Sequence, residues 1–115
     1  MSDPRTAARS EALEAQERSL RREIDELGAD PNLDEVAFDA DAGFSDRSHS
    51  TEERSHIMAT ARALRATLRD VERARAKVAD GTYGICERCG NRIGDERLDA
   101  MPWALLCIDC KRLVG

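Results

Sequence analysis

Four cysteines, arranged as two Cys-x-x-Cys pairs, constrain this chain more than any other feature of its sequence. The pairs are Cys86/Cys89 and Cys107/Cys110, and residues 90–106 separate them. Two pairs with about 15 to 20 residues between them form the ligand pattern of a four-thiolate zinc site. A tetrahedral set of four thiolates suits zinc best and a mononuclear iron next. We therefore predict that the four cysteines hold one structural Zn2+.

Other uses of cysteine fit the sequence less well. A thioredoxin-like redox site needs one reactive dithiol on a βαβ scaffold, and the sequence shows no alternation of strands with helices. A catalytic zinc site keeps an open position, whereas four cysteines close the coordination shell. The sequence shows no signal peptide and no membrane-spanning run, so we expect a cytoplasmic protein with reduced thiols. We predict that the protein is not an enzyme.

The composition favours long helices over a large globular core. Charged residues make up 36% of the 115 residues and aromatic residues 3%, which is typical of helices that bury one stripe and solvate the remainder. The formal net charge is -5, and such a balance disfavours nonspecific DNA binding, which relies on Lys and Arg neutralising phosphates. We expect a protein partner, with no membrane contact and no direct sequence-specific DNA binding.

Helical periodicity first occurs between about residues 4 and 27. Apolar side chains share one face of this helix at Leu13, Leu20, Ile24 and Leu27. Gly28 suits the left-handed end of a helix, and Pro31 soon prevents its continuation. A single apolar seam on a charged helix predicts a partner helix.

A second helix is predicted from about residue 50 to residue 79. Ser50 and Glu53 form a capping-box pair at its start, and its length would be about 40 Å. The apolar stripe consists of Ile57, Ala61, Leu64, Leu68, Val71, Ala74 and Val78. The side predicted to be solvated carries Arg54, Arg62, Arg65, Arg69, Arg73, Arg75 and Lys77. Such a run forms weak i to i+4 ion pairs, and electrostatic docking on an acidic partner is the alternative.

The predicted fold class is mainly α: an antiparallel two-helix coiled-coil hairpin over residues 1–79, followed by a small four-cysteine zinc-finger knuckle over residues 80–115. An acidic connection, about residues 28–49, joins the two helices. No Lys or Arg occurs between Arg22 and Arg47. This connection is either a solvated linker or a contact surface.

The knuckle sequence contains the groups that a zinc site needs around its thiolates. Arg88, Arg92, Lys111 and Arg112 are the candidate neighbouring cations. The expected apolar cover is Ile93, Leu98, Met101, Pro102, Trp103, Leu105 and Leu106. The metal is expected to replace most of the missing core.

The same segment carries a family resemblance. The residues concerned are Cys86-Glu87-x-Cys89, Ile93, Arg97, Pro102 and Cys107-x-x-Cys110, preceded by Asp80-Gly81-Thr82-Tyr83-Gly84. Together they resemble the signature of the DksA/TraR C4-type zinc-finger proteins over residues 80–111. This resemblance implies a bacterial regulator that binds RNA polymerase, with a coiled coil in the secondary channel and acidic tip residues that alter initiation complexes.

The resemblance places the hairpin tip near residues 43–48. The tip of the best studied family members has two aspartates three residues apart and an alanine two residues after the second. Asp46 matches the second aspartate, whereas Gly43 replaces the first and Ser48 replaces the alanine. Nearby charges are Asp39 and Asp41, which with Asp46 form the predicted partner-contact tip. A response to ppGpp is not carried over.

Two other functions are compatible with the sequence. A nucleic-acid-binding zinc module would use the arginines of the second helix and the cations of the knuckle, and its DNA binding would weaken steeply with salt. A structural adaptor would depend on zinc for folding but would have a partner other than polymerase. The identity of the partner distinguishes these functions.

Overall fold

The computed structural model describes residues 4–28 and 51–114. These parts of the chain form four helices: α1 (Pro4–Glu26), α2 (Thr51–Asp80), α3 (Asp95–Ala100) and α4 (Ile108–Val114). Within the same ranges, β-structure is limited to one isolated antiparallel bridge between Ile85 and Arg92. Among the described helices, none combines the length and apolar character that a membrane span requires. The predicted mainly α class is confirmed.

The described residues belong to two compact units. The first unit contains α1 up to Glu17, α2 from Arg69 and the finger, and within it the beginning of α1 is grouped with the end of α2. The second unit contains the described residues between Arg18 and Leu68, and there the end of α1 is grouped with the beginning of α2. Such pairing is that of antiparallel helices, as predicted for the hairpin. The predicted domain boundary between the hairpin and the zinc finger, at residues 79 and 80, stays a prediction.

The predicted apolar stripes form the interior of both units. In the first unit, Leu13, Val71 and Ala74 are fully buried. In the second unit, the buried members of the apolar stripes are Leu20, Ile24, Ala61 and Leu68. Burying one such aliphatic side chain contributes about 1.5–3 kcal/mol relative to its exposure, so these stripes hold each helix pair together.

Two residues expected on the solvated side of α2 are buried, and that expectation was wrong for them. Arg65 is 2% exposed and Lys77 is 8% exposed. The helical period explains both, because Arg65 lies three residues before Leu68 and Lys77 three residues after Ala74. Long cationic side chains cover apolar surface with their methylene groups while the charged end finds a polar partner. The Lys77 Nζ donates to the carbonyl of Ile85 at 2.6 Å.

The turn after α2 leads the chain into the first cysteine pair. The amides of Thr82 and Tyr83 donate to the Lys77 carbonyl at 2.9 and 3.1 Å, and Gly81 takes φ 84°, which favours glycine. The Asp80 carboxylate accepts from the hydroxyl and the N–H of Thr82. These two hydrogen bonds lower the pKa of Asp80, so the turn is best stabilised when Asp80 is ionised.

Replacing Leu68 by alanine should destabilise the helix pair, because this side chain is 1% exposed. Removing buried aliphatic atoms costs about 2–5 kcal/mol, so the urea midpoint followed by circular dichroism at 222 nm should fall clearly. Leu113→Ala is the matched control, since Leu113 is 71% exposed and its loss should change stability by no more than about 0.5 kcal/mol. Equal midpoints for the two variants would contradict the described core.

Candidate metal centre

The four cysteine sulfurs converge on one point. The Sγ atoms of Cys86, Cys89, Cys107 and Cys110 all lie within 4.8 Å of one another, and those of Cys89 and Cys107 are 3.8 Å apart. A tetrahedral zinc with Zn–S bonds of about 2.3 Å separates its sulfurs by about 3.8 Å. All four cysteines are free thiols. The donor set and its spacing therefore fit a single Zn2+ with a closed shell.

The first pair lies in a tight backbone turn. The Cys86 N–H donates to the carbonyl of Asn91 at 2.8 Å, and the Gly90 N–H donates to the carbonyl of Cys86 at 3.0 Å. Gly90 adopts φ 76°, a left-handed conformation that glycine takes without strain. The turn places Cys86 and Cys89 on one side of the backbone, which is why a Cys-x-x-Cys spacing suits two ligands of one ion.

The second pair lies at the start of α4. Cys107 immediately precedes the helix and Cys110 is in its first turn; the Lys111 N–H donates to the Cys107 carbonyl at 2.9 Å. A further backbone bond connects the two pairs, because the N–H of Glu87 donates to the carbonyl of Leu105 at 2.9 Å. This backbone hydrogen bond adds to the contacts that hold the two pairs side by side.

A small apolar cluster supports the site. It consists of Cys86, Ile93, Leu98, Ala104 and Cys110, with Tyr83, Leu106 and Cys107 packed against it. Of the predicted cover, Ile93 and Leu98 are buried, whereas the expectation was wrong for Met101, which is 37% exposed. Leu106, also predicted, packs against the cluster, and two of the ligands themselves are among its buried members.

Two polar contacts fix the loop between the pairs. The Tyr83 hydroxyl donates to the Pro102 carbonyl at 2.8 Å, and burial raises the pKa of Tyr83, which keeps this donor protonated. The Nε of Arg97 donates to the Leu106 carbonyl at 2.9 Å. Both side chains therefore satisfy carbonyl groups of the segment that leads into Cys107.

The surroundings of Cys86 and Cys110 shift the pKa values of their thiols in opposite directions. Backbone N–H groups, first that of Cys89 and then those of Cys107 and Arg88, lower the pKa of Cys86 to about 6. Burial, followed by the neighbouring sulfurs, raises the pKa of Cys110 to about 12. The backbone thus favours a thiolate at Cys86, and the charge of a bound metal ion would favour the thiolate form of Cys110 as well.

Backbone N–H donors, and not the expected side-chain cations, lower the pKa of Cys86. The four candidate cations, Arg88, Arg92, Lys111 and Arg112, are all exposed. The predicted contact residues Asp39, Asp41 and Asp46 lie outside the described residues.

Sequence reasoning missed the contacts that join the finger to the helices. Glu87, within the first cysteine pair, forms ion pairs with Arg73 and with Lys77, the latter at 3.9 Å. Arg9 in α1 pairs with Asp95 and Asp99 in α3. One signal was present: Arg9 lies four residues before Leu13 and so continues the apolar seam of α1.

Comparison with known proteins adds a family context. The model of the prokaryotic dksA/traR C4-type zinc finger matches residues 81–113. The RNA polymerase-binding transcription factor DksA of Escherichia coli K12 is 40% identical over 101 residues, which cover 88% of this chain and 65% of that protein. The chain therefore spans slightly less than two thirds of the length of this relative.

Solved structures share the fold. Transcription factor DksA2 from Pseudomonas aeruginosa matches 98% of this chain and 84% of its own, with a TM-score of 0.68 and 25% identity. The DnaK suppressor protein from Agrobacterium tumefaciens C58 matches 93% of this chain and 91% of its own, with a TM-score of 0.62 and 24% identity. With the matching finger model and the converging sulfurs, the predicted zinc cofactor is confirmed.

Zinc binding should weaken as the pH falls, because thiolates and not thiols bind the ion. Each cysteine that is protonated in the metal-free chain must release its proton on binding, so the apparent zinc affinity should fall steeply between pH 7 and about pH 5.5. Calorimetric zinc titrations at both pH values, in buffers of different ionisation enthalpy, measure the affinity and the number of protons released. An affinity that does not change with pH, or binding without proton release, would contradict a site of four thiolates.

Proposed function

Because the chain belongs to the DksA/TraR C4-type zinc-finger family, we propose that it is a non-enzymatic transcription regulator that binds RNA polymerase in the cytoplasm. The observation that supports this most is the extent of its similarity to the E. coli RNA polymerase-binding factor. The matched segment covers 88% of the chain at 40% identity, so it must include helical residues outside the zinc finger. A shared zinc finger alone would support only a shared metal site.

Zinc has a structural role in this proposal. Cys86, Cys89, Cys107 and Cys110 would hold the ion, which supplies four bonds where the finger has only a small apolar cluster. A closed shell of four thiolates leaves no coordination position for a substrate. The finger then serves to fix the beginning of α1 and the end of α2, to which it is joined by ion pairs.

In this proposal, the acidic connection (about residues 28–49) makes the regulatory contact with the polymerase. Asp39, Asp41 and Asp46 would meet the polymerase at its secondary channel and change the behaviour of initiation complexes. The charge pattern supports this assignment, because no basic residue occurs between Arg22 and Arg47. Carboxylates concentrated in one segment act over about 10 Å at 0.1 M salt, which suits a contact that alters a charged active site.

The purified chain should form a complex with core RNA polymerase at micromolar concentration or below, detectable by native mass spectrometry. It should not show the binding to duplex DNA that falls steeply with salt, because its net charge is -5. Zinc-loaded protein and a matched salt series on a DNA duplex serve as controls. Absence of a polymerase complex, or DNA binding alone, would refute the proposal.

Replacing Asp46 by alanine should weaken the effect on transcription in vitro while zinc content and helicity stay unchanged. The reason is that the change removes one charge from the proposed tip and substitutes neither a cysteine nor a residue of the buried stripes. Asp25→Ala, which removes an exposed carboxylate from α1, is the matched control and should be silent. If full activity survives both Asp46→Ala and the Asp39→Ala/Asp41→Ala double variant, the tip does not act as proposed.

A further inference from the structure

One arginine of α1 is buried against the finger. The side chain of Arg9 is 9% exposed, although a guanidinium group is strongly hydrated and seldom buried unless it is paired. Its Nε and Nη2 donate to the Asp99 Oδ1 at 3.1 and 2.8 Å. Nη2 also lies 3.3 Å from the Asp95 Oδ1 and 3.4 Å from the Asp95 carbonyl. Arg5 completes the group through a 2.9 Å contact with Asp95. We name Arg5, Arg9, Asp95 and Asp99 the Arg9 cluster.

The two ends of the Arg9 cluster are not equally exposed. The side chains of Asp95 and Asp99 are 48% and 69% exposed. An ordinary surface ion pair has two exposed partners and contributes about 0–1 kcal/mol. Arg9 instead inserts its planar donor group beneath exposed carboxylates, and the hydrogen bond to Asp99 raises the pKa of Arg9. This geometry defines the position of α3 on α1 more narrowly than a flexible surface pair would.

The finger is joined to its two helices in different ways. It follows α2 directly in the chain, and Lys77 and Arg73 add contacts to Ile85 and Glu87 next to the first cysteine pair. In contrast, Arg9 and Asp99 are 90 residues apart in sequence. The position of α1 beside α3 therefore depends on noncovalent contacts. Among them, two N–H groups of the Arg9 guanidinium donate to one carboxylate oxygen of Asp99.

We propose that Arg9 is a positioning residue, which holds α3 against the beginning of α1 so that the finger and the helix ends bind RNA polymerase as a preformed surface. This inference rests on the proposed function. A surface that is already ordered does not lose conformational freedom on binding, and that loss is a main cost of association. Without Arg9, the finger would have to be ordered during binding, and the polymerase complex would weaken about tenfold.

A direct contact between Arg9 and the polymerase is the competing explanation of such a loss, and a double-mutant cycle separates the two. The variants are Arg9→Ala, Asp99→Asn and the double variant, each tested for zinc content and for its Kd with core polymerase. If Arg9 acts through the carboxylates of α3, Arg9→Ala should weaken binding about tenfold and the double variant no further, whereas Asp99→Asn alone should cost less because Arg9 keeps its contacts with Asp95. If each residue contacts the polymerase independently, the two losses should multiply.

Hydrogen exchange of residues 95–100 in the free protein supplies a readout that does not involve polymerase. Arg9→Ala should speed exchange there while zinc content stays at one per chain. Arg9→Lys keeps the charge without the planar fork and should lie between the wild type and Arg9→Ala in both measurements. Arg22→Ala is the matched control, because Arg22 is an exposed arginine of the same helix, and it should change neither measurement.

The outcomes distinguish this inference from the proposed function. Absence of a complex with the wild-type chain refutes the proposed function, and the positioning role with it. A wild-type complex that Arg9→Ala matches in affinity refutes the positioning role alone, as do multiplying losses in the cycle. Unchanged exchange at residues 95–100 in Arg9→Ala also refutes it. A double variant that binds no more weakly than Arg9→Ala, with faster exchange and retained zinc, supports it.

Discussion

The convergence of four sulfurs on one ion is the interaction on which the rest of the finger depends. Apart from the two buried ligands Cys86 and Cys110, the buried cluster of the finger contains only Ile93, Leu98 and Ala104. Three such side chains cannot offset the conformational entropy of more than thirty ordered residues, each of which costs about 1–2 kcal/mol in the backbone alone. Metal binding supplies the missing free energy in small domains of this kind. The turns around the cysteines, formed by backbone hydrogen bonds, allow that free energy to act at one point.

The zinc site and the helices are coupled through charge. Glu87 lies between the first two cysteines and pairs with Arg73 and Lys77 of α2, so the residue that separates two ligands is also the one that contacts the helix. On the other helix, Arg9 binds the carboxylates of α3. A small finger therefore meets both helices through cations of the helices and anions of the finger. This arrangement gives the metal site a defined place beside the beginning of α1 and the end of α2.

The comparison with solved structures shows how little sequence identity this fold needs. The match to DksA2 has a TM-score of 0.68 at 25% identity. What the fold requires is the spacing of four thiols and the apolar seams of two helices, because each buried position accepts several aliphatic residues of similar volume. Positions outside the thiols and the apolar seams are under no such constraint. In sequence the acidic connection falls among these freer positions, with Asp46 matching the family tip and Gly43 and Ser48 departing from it.

The sequence by itself determined the metal site, the two long helices and their apolar stripes, because these depend on spacings within a few residues, whereas the short helices α3 and α4 were not predicted. Cys-x-x-Cys pairs and residues three or four apart keep their mutual geometry wherever the helix or turn lies. Only the tertiary structure decided the burial of Arg65 and Lys77, the exposure of Met101 and the pairing of Arg9 with Asp99. For the Arg9 pair the reason is distance in the chain: Arg9 and Asp99 are 90 residues apart, and no local pattern records such a distance. From sequence alone, a cation at the edge of an apolar stripe is predicted to be solvated. The surface that buries it exists only after the helices have paired.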